Sequence, residues 1–157
     1  MGVFGGIEKA EVFGGGANIR PGMHLLEVRE LLVHKSRKKA GVVYFVVEAT
    51  VLESTGGRPI TAKAVDNVGS SLSHPKGERV SWLSDLSQPS GLGNVKGFAM
   101  ALAPGTTESD VTEESMNGLV ASEQPAAGIK VWCDAYMELT QKSNDFTKCR
   151  FSPYVAP

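Results

Sequence analysis

Residues 24–54 read HLLEVRELLVHKSRKKAGVVYFVVEATVLES, two apolar runs separated by a short basic stretch. In the first run the apolar positions change phase, because Leu26 and Val28 share one parity whereas Leu31 and Val33 share the other. An extra residue in a strand produces such a slip, so the pattern predicts a β-bulge. We therefore expect a long, bent first strand that contributes to both halves of a curled sheet.

The second run, residues 42–54, is rich in β-branched and aromatic residues and alternates regularly. Its entirely apolar face predicts the core side of a second strand. That face consists of Val43, Phe45, Val47, Ala49 and Val51. The basic stretch between the runs predicts the turn between strands one and two.

Three more strands are predicted beyond this hairpin. GERVSWLSDL (77–86) is the third, and GIKVWCDAYMEL (128–139) and DFTKCRFSPYV (145–155) are the fourth and fifth. In the fourth strand a face of small apolar residues alternates with a face of aromatic and charged ones.

Two short helices are predicted between the third and fourth strands. The first has Ser90 as its N-cap and apolar residues at helical spacing, Leu92, Val95, Ala99 and Leu102. The second begins with a capping box of Asp110 and Glu113 and turns three apolar residues inward, Met116, Leu119 and Val120.

This order of elements predicts a mainly β domain with two short helices, of the α+β class. Three strands, a helical segment and two strands is the order of the OB-fold, a five-stranded, partly open Greek-key barrel. We expect residues 21–157 to form this single OB-like domain, with the helical segment between strands 3 and 4, and residues 1–20 to form a glycine-rich N-terminal arm. A small α+β sandwich of another connectivity is the alternative.

Composition limits the class of protein. The chain has 157 residues, of which 41% are hydrophobic, enough for one domain with a core. No run of about 18 apolar residues and no signal-peptide pattern occurs, so we expect a cytoplasmic protein without a membrane span. Cys133 and Cys149 are too few for a disulfide framework, and we expect buried thiols on neighbouring strands.

Charge is unevenly distributed although the formal net charge is only -1. Residues 1–83 carry eleven bases and eight acids, whereas residues 84–157 carry five bases and nine acids. Within the second half, residues 108–123 hold five acids and no base, which is typical of a solvated helix face.

No catalytic or metal-binding signature appears. The histidines His24, His34 and His74 lie in unrelated settings, and no HExxH pair, GxSxG elbow or Cys-His signature is present. We expect no enzyme activity and no cofactor, because no nucleophile, base and orienting group can be identified together.

The inventory for nucleic acid is richer. Aromatic residues that stack on bases and cations that follow the phosphates are the combination that binds single strands. The outward faces of strands two, four and five supply Tyr44, Lys130, Trp132, Tyr136, Phe146, Lys148 and Arg150. The turn between strands one and two, which borders the binding cleft in OB-folds, supplies Lys35, Arg37, Lys38 and Lys39. The alternatives are a solvated basic turn and aromatics that pack under residues 54–78 or the second helix.

A string of short segments resembles one family over nearly the whole chain. The segments are GIEKAEVF, RPGMHLLEV, VVEATVLES, GERVSWLSDL, GLGNVKGFAMAL and DFTKCRFSP. In this order they resemble small proteins of tailed bacteriophages of the single-stranded DNA-binding type. The resemblance implies phage origin, an OB-like barrel and a role in DNA replication or recombination in the host cytoplasm. The chain departs from many single-strand binders because it ends in FSPYVAP, without an acidic tail.

Partners follow from these expectations. Single-stranded DNA is the expected ligand, and the acidic residues 108–123 are the expected contact for a phage or host replication protein. A homo-oligomer formed through the N-terminal arm is expected as well. The alternative function is that of a virion structural protein, a capsid-decorating or connector-type component without enzyme activity.

Overall fold

Seven strands and two helices fill the part of the chain that the computed structural model describes, residues 16–56, 64–65, 73–138 and 146–156. The strands are β1 (Ala17–Asn18), β2 (Gly22–Lys35), β3 (Val43–Gly56), β4 (Ala64–Val65), β5 (Arg79–Asp85), β6 (Lys130–Glu138) and β7 (Phe146–Pro153). The helices are α1 (Pro89–Ala101) and α2 (Glu113–Leu119), and a 3-10 turn at Glu108–Asp110 lies between them.

The strands form one mixed sheet that does not close. Six strands follow the order β1-β5-β3-β2-β6-β4. β2 and β4 pair with different parts of one edge of β6, and β7 pairs with its opposite edge. β1 runs parallel to β5, and the remaining pairs are antiparallel. The described residues contain no pairing of β5 with β7. The mainly β, α+β character is thus confirmed, and the five predicted strands correspond to β2, β3, β5, β6 and β7.

β2 is the long, bent strand that the phase change predicts. Its pairing with β3 shifts register between Val28 and Glu30, where the bulge is expected, and also between Leu25 and Leu26, where it is not. β3 accompanies β2 along its whole length, whereas β6 pairs only with Gly22–Glu27. The second half of β2 therefore leaves β6, and the sheet bends at this point.

A glutamine side chain occupies the edge of β2 that β6 leaves. The Gln124 amide donates to the Leu31 carbonyl oxygen at 2.8 Å, and its own oxygen accepts from the Leu31 amide nitrogen at 2.8 Å. These two bonds imitate a neighbouring strand and satisfy backbone groups that would otherwise be left unpaired. They also hold the segment after α2 against the sheet.

The core lies between the inner face of the bent sheet and α1. Four of the five residues of the predicted inner face of β3 are buried, Phe45, Val47, Ala49 and Val51, whereas Val43 is half-buried. Two residues of the opposite face, Val46 and Glu48, are buried as well. Phe98 of α1 is fully buried at the centre and was not predicted. Its ring contacts the aromatic residues of three strands, Phe45 at 5.9 Å, Trp82 at 5.9 Å and Phe151 at 5.0 Å between centroids.

Both helices begin where sequence reasoning did not place them. α1 begins at Pro89 with Gln88 as its N-cap, rather than after Ser90, because proline is well tolerated at the first helical position. Gly91 lies against the end of β5, and a Cβ there would overlap the Asp85 carbonyl oxygen. The short connection between β5 and α1 therefore needs glycine at this close approach.

The predicted capping box of Asp110 and Glu113 is wrong. Thr112 caps α2 and accepts a hydrogen bond from the Ser115 amide nitrogen at 3.1 Å. Asp110 instead ends the preceding 3-10 turn, whose N-cap is Thr107, and its carboxylate accepts a hydrogen bond from the Thr107 amide nitrogen at 2.8 Å. The inward face of α2 is confirmed, because three of its apolar residues pack against the core, Met116, Leu119 and Val120.

Of the predicted N-terminal arm, residues 1–15 lie outside the described residues. The rest of it packs on its own chain, since β1 pairs with β5 and Ile19 is buried in the core. In the part of the chain that the structure describes, no helix is long and apolar enough to cross a membrane.

Candidate nucleic-acid interface

A groove of about 650 Å³ lies where the sheet stays open between β5 and β7. The end of β5, the first turns of α1 and the middle of β7 form its walls, and one residue each of β3 and β6 completes it. β1 pairs only with Val80 and Ser81 of β5, so the rest of that strand edge has no pairing strand among the described residues. We call this groove the seam groove.

Four of the predicted site residues line the seam groove together, Tyr44, Tyr136, Lys148 and Arg150. The register of β6 and β7 brings Tyr136, Lys148 and Arg150 side by side. Tyr136 pairs with Lys148, and Arg150 pairs with Asp134, two residues before Tyr136 on the same face of β6. The Arg150 guanidinium lies over the Tyr136 ring, and its carbon is 5.3 Å from the ring centroid. Two aromatic faces and two cations thus converge at one opening.

Sequence reasoning missed the opposite wall of the groove. Trp82, Asp85 and Asn94 line it from β5 and α1. Trp82 also packs edge-on against Phe151 of β7, with centroids 4.9 Å apart, and so bridges the open seam at its base. The Asp85 carboxylate accepts hydrogen bonds from the Ser87 amide nitrogen at 2.8 Å and the Ser87 hydroxyl at 2.6 Å.

Lys130 and Trp132 form a second aromatic and basic cluster outside the lining of the seam groove. The Trp132 ring lies 6.3 Å from the ring of Tyr154, and the Lys130 ammonium lies 5.5 Å from the centroid of that same ring. Trp132 and Tyr136 share one face of β6, so this cluster and the groove lie along one strand. Phe146 begins β7, and its side chain lies outside the described residues.

The four cations Lys35, Arg37, Lys38 and Lys39 are exposed at the end of β2 and on the turn that leads to β3. The turn is held by its own backbone and by Ser36, whose amide donates to the Val42 carbonyl at 2.9 Å and whose hydroxyl accepts from the amides of residues 38 and 39. Tyr44 lies next to this turn, opposite His34 in β2. The basic turn is therefore close in sequence and in the sheet to one wall of the groove.

The two cysteines lie diagonally on β6 and β7. Cys133 is buried, whereas Cys149 is half-buried and lines the seam groove. A hydrogen bond with Cys149 and burial raise the pKa of the Cys133 thiol well above its usual value. The expected burial is thus confirmed for Cys133 and only partly for Cys149, and Cys133 stays an uncharged thiol rather than a nucleophile.

A separate cluster of titratable groups holds the segment before β2. The fully buried His24 donates from Nε2 to the Arg20 carbonyl oxygen at 2.7 Å, and its Nδ1 lies 2.8 Å from the Ser54 hydroxyl. The buried His74 accepts from the Arg20 amide nitrogen at 3.0 Å through Nε2, and its Nδ1 lies 2.9 Å from Glu78. Desolvation by burial lowers the pKa of His24. Both imidazoles thus hold the backbone of Arg20, His24 at its carbonyl oxygen and His74 at its amide nitrogen.

The described residues contain no group of three or more His, Cys, Asp or Glu side chains that could hold a metal ion. Aromatic rings, two cations, the Asp85 carboxylate and hydrogen-bonding groups line the seam groove. In comparisons with known proteins, no protein-family model and no curated protein matches the chain.

Proposed function

We propose that the chain is a single-stranded DNA-binding protein of a tailed bacteriophage, acting in replication or recombination in the host cytoplasm. The observation that carries this proposal is the convergence of Tyr44, Tyr136, Lys148 and Arg150 on the seam groove. Aromatic faces that stack on bases, beside cations that neutralise phosphates, are the combination that single-strand binders use. No catalysis is part of the proposal.

An OB-like architecture is part of the same proposal. The pairs β2·β3, β3·β5, β2·β6 and β6·β7 support it, because they join the five predicted strands in the order 3-2-1-4-5. Closing that order between its two ends, β5 and β7, yields a five-stranded barrel with the helices between its third and fourth strands. The seam groove lies at this junction.

Binding would depend little on sequence. Every base presents a π-face to Tyr44 or Tyr136, and stacking contributes about 1–3 kcal/mol per base. Lys148 and Arg150 would follow the backbone within the groove, and the cations at 35–39 would extend the phosphate track beyond Tyr44. Lys130 and Trp132, with Phe146, would extend the stacking surface along β6 and β7.

Fluorescence anisotropy with a labelled single strand of mixed sequence, at low salt, tests this function directly. We expect binding to single strands that is much tighter than binding to the same sequence as a duplex. The double variant Lys148→Ser/Arg150→Ser should bind weakly, whereas the matched variant Lys76→Ser/Lys96→Ser, which removes two cations outside the groove, should bind like the wild type. Absence of single-strand binding by the wild type at low salt would refute the proposal.

Recruitment of a replication protein by residues 108–123 remains part of the proposed role. Self-association also remains part of it, and the N-terminal arm is one candidate contact surface. The arm is best tested by deleting only residues 1–15, because Ile19 belongs to the core and β1 pairs with β5. If the oligomer mass of the deletion variant equals that of the wild type, the arm is not the contact.

A virion structural role, in capsid decoration or as a connector, is the second candidate. An apolar groove between α1 and α2 favours it, because it leaves Val33 and Leu92 exposed, as in a protein that assembles with others. Immunoblotting of purified virions separates the two roles, since a replication protein is absent from the particle.

A further inference from the structure

A second groove, of about 520 Å³, lies between α1, α2 and the turn end of the β2–β3 hairpin. Its lining is mainly apolar, and two of the lining side chains are unusually exposed for their size, Val33 at 48% and Leu92 at 54%. We call it the helix groove. A contiguous exposed apolar surface of this kind typically marks a contact with another macromolecule.

Opposite charges lie on the rim of the helix groove. Two residues beyond Val33 the basic turn begins, and its cations Lys35, Arg37, Lys38 and Lys39 are all exposed. On the α2 side, Glu113 lines the groove, and Glu108 and Glu114 are exposed and close to it in the sequence, whereas Lys96 lines the groove from α1. Within the described part of the chain, no ion pair joins these cations to these acids.

We propose that the helix groove is the contact surface of a two-fold symmetric dimer of this chain. In such an interface the same patch meets itself, so residue i of one copy contacts residue j of the other, and the reverse. A patch with apolar residues at its centre, a basic turn on one part of its rim and acids on another is complementary to a second copy of itself. The basic turn of each protomer would then pair with Glu108, Glu113 and Glu114 of the other.

The charges specify the partner in this proposal. Electrostatic complementarity contributes mainly to partner choice and register, and desolvated apolar side chains contribute affinity at the centre of an interface. A purely basic or purely acidic partner would match one rim and be repelled by the other. A second copy matches both rims at once, which is why we favour it over an unrelated protein.

Sedimentation of the purified full chain, without DNA, tests the dimer through charge reversal. The basic-turn variant carries Lys35→Glu, Lys38→Glu and Lys39→Glu, and the acid variant carries Glu108→Lys, Glu113→Lys and Glu114→Lys. Asp110 is left intact because its carboxylate caps the 3-10 turn. We expect the wild type to sediment at twice the chain mass of 16.7 kDa, and each variant alone at the single chain mass.

Mixing the two variants gives the sharpest readout. The basic-turn variant has mainly acidic residues on both rims, and the acid variant has basic residues on both rims. In a mixed dimer, each basic rim of the acid variant therefore meets an acidic rim of the basic-turn variant. We expect the mixture, and also the variant with all six substitutions, to return to the dimer mass. The control Lys130→Glu/Lys148→Glu/Arg150→Glu makes the same change of net charge as the basic-turn variant, away from the helix groove, and should remain dimeric.

Three results would overturn the proposal. They are a wild type that stays monomeric over the whole accessible concentration range, reversal variants that keep the dimer mass, and reversal variants that become monomeric but form no dimer when mixed. Circular dichroism of each variant confirms that loss of the dimer is not loss of the fold. None of these measurements involves DNA, so they test the dimer by itself. Acids of a second copy and phosphates of a bound strand compete for the same basic turn, so a dimer that persists with DNA removes the turn from the phosphate track and leaves Lys148 and Arg150 of the seam groove in it.

Discussion

The Arg150 guanidinium covers one face of the Tyr136 ring, with 5.3 Å between the guanidinium carbon and the ring centroid. An exposed cation such as Arg150 over an aromatic ring contributes about 0.5–1 kcal/mol. Stacking of a base on the same ring contributes about 1–3 kcal/mol. A bound base is therefore expected to displace Arg150 from the ring, towards the phosphate that accompanies that base.

This exchange gives the two side chains different signatures in binding. Tyr136→Leu should weaken single-strand binding by about 1–3 kcal/mol at every salt concentration, because it removes stacking. Arg150→Ser should instead reduce the slope of log affinity against log salt by about 0.7, the value for one phosphate that is no longer neutralised. A salt titration followed by anisotropy measures both, and identical slopes for Arg150→Ser and the wild type would exclude Arg150 from the phosphate track.

The basic turn should contribute charge rather than stability. Replacing Lys35, Arg37, Lys38 and Lys39 by Ser should flatten the salt dependence of single-strand binding by up to about 0.7 for each phosphate that the turn neutralises. The free energy of unfolding should change by no more than about 0.5 kcal/mol per substitution, because all four side chains are exposed. An unaltered salt slope, measured beside denaturant unfolding, would show that the turn does not touch DNA.

Trp132 tests how far a bound strand extends along β6. The residue lies in the cluster with Tyr154, outside the lining of the seam groove. Trp132→Ala should therefore weaken the binding of long oligonucleotides and leave the binding of short ones, which fill only the groove, unchanged. Tyr136→Ala should weaken both. Equal losses of affinity for short and long strands in Trp132→Ala would place Trp132 within the primary binding surface instead.

The free energy of unfolding should decrease in mild acid, because protonation of the buried His24 favours the unfolded chain. Burial lowers its pKa below the unfolded value of 6.5, so the unfolded chain binds this proton first as the pH falls. The contribution of neutral His24 to the free energy of unfolding is complete above about pH 6.5 and is lost as the pH falls towards the native pKa. Thermal unfolding at a series of pH values should show this decline, and His24→Gln should reduce it. His34→Gln, at a half-exposed position, is the control and should retain it.

Phe98 should be the most costly single truncation in α1. Its ring is fully buried and contacts aromatic residues of β3, β5 and β7. Phe98→Ala should therefore lower the free energy of unfolding by about 3–5 kcal/mol. Leu92→Ala is the matched control on the same helix and should cost far less, since Leu92 is exposed. Similar losses of stability for both, in denaturant titrations, would contradict the placement of α1.

The parts of the fold that follow from local patterns were predictable. The phase change near Leu31 predicts the bulge in β2, and alternation predicts the buried face of β3, because each reflects side-chain parity within one strand. The second register shift of β2 and the bonds of Gln124 to Leu31 were not predictable, since both depend on contacts between distant segments.

The candidate site was predictable in part for the same reason. Parity on β6 and β7 correctly places Tyr136, Lys148 and Arg150 on one surface. It does not reveal that Tyr154 joins Trp132, nor that the start of α1 supplies a wall of the groove. That wall depends on the close approach of Gly91 to Asp85, and a lone glycine in the sequence carries no such information.

The two partners of β2 imply an order of folding. β2 meets β3 across the short turn 36–42, whereas Leu26 of β2 meets Val131 of β6 only after a loop of about 100 residues closes. Closing the longer loop costs more chain entropy, and such distant pairing is slow. The hairpin should thus form early and the docking of β6 and β7 late. The seam groove needs residues from both, so a nascent chain acquires it only after β6 and β7 have left the ribosome and docked on the hairpin.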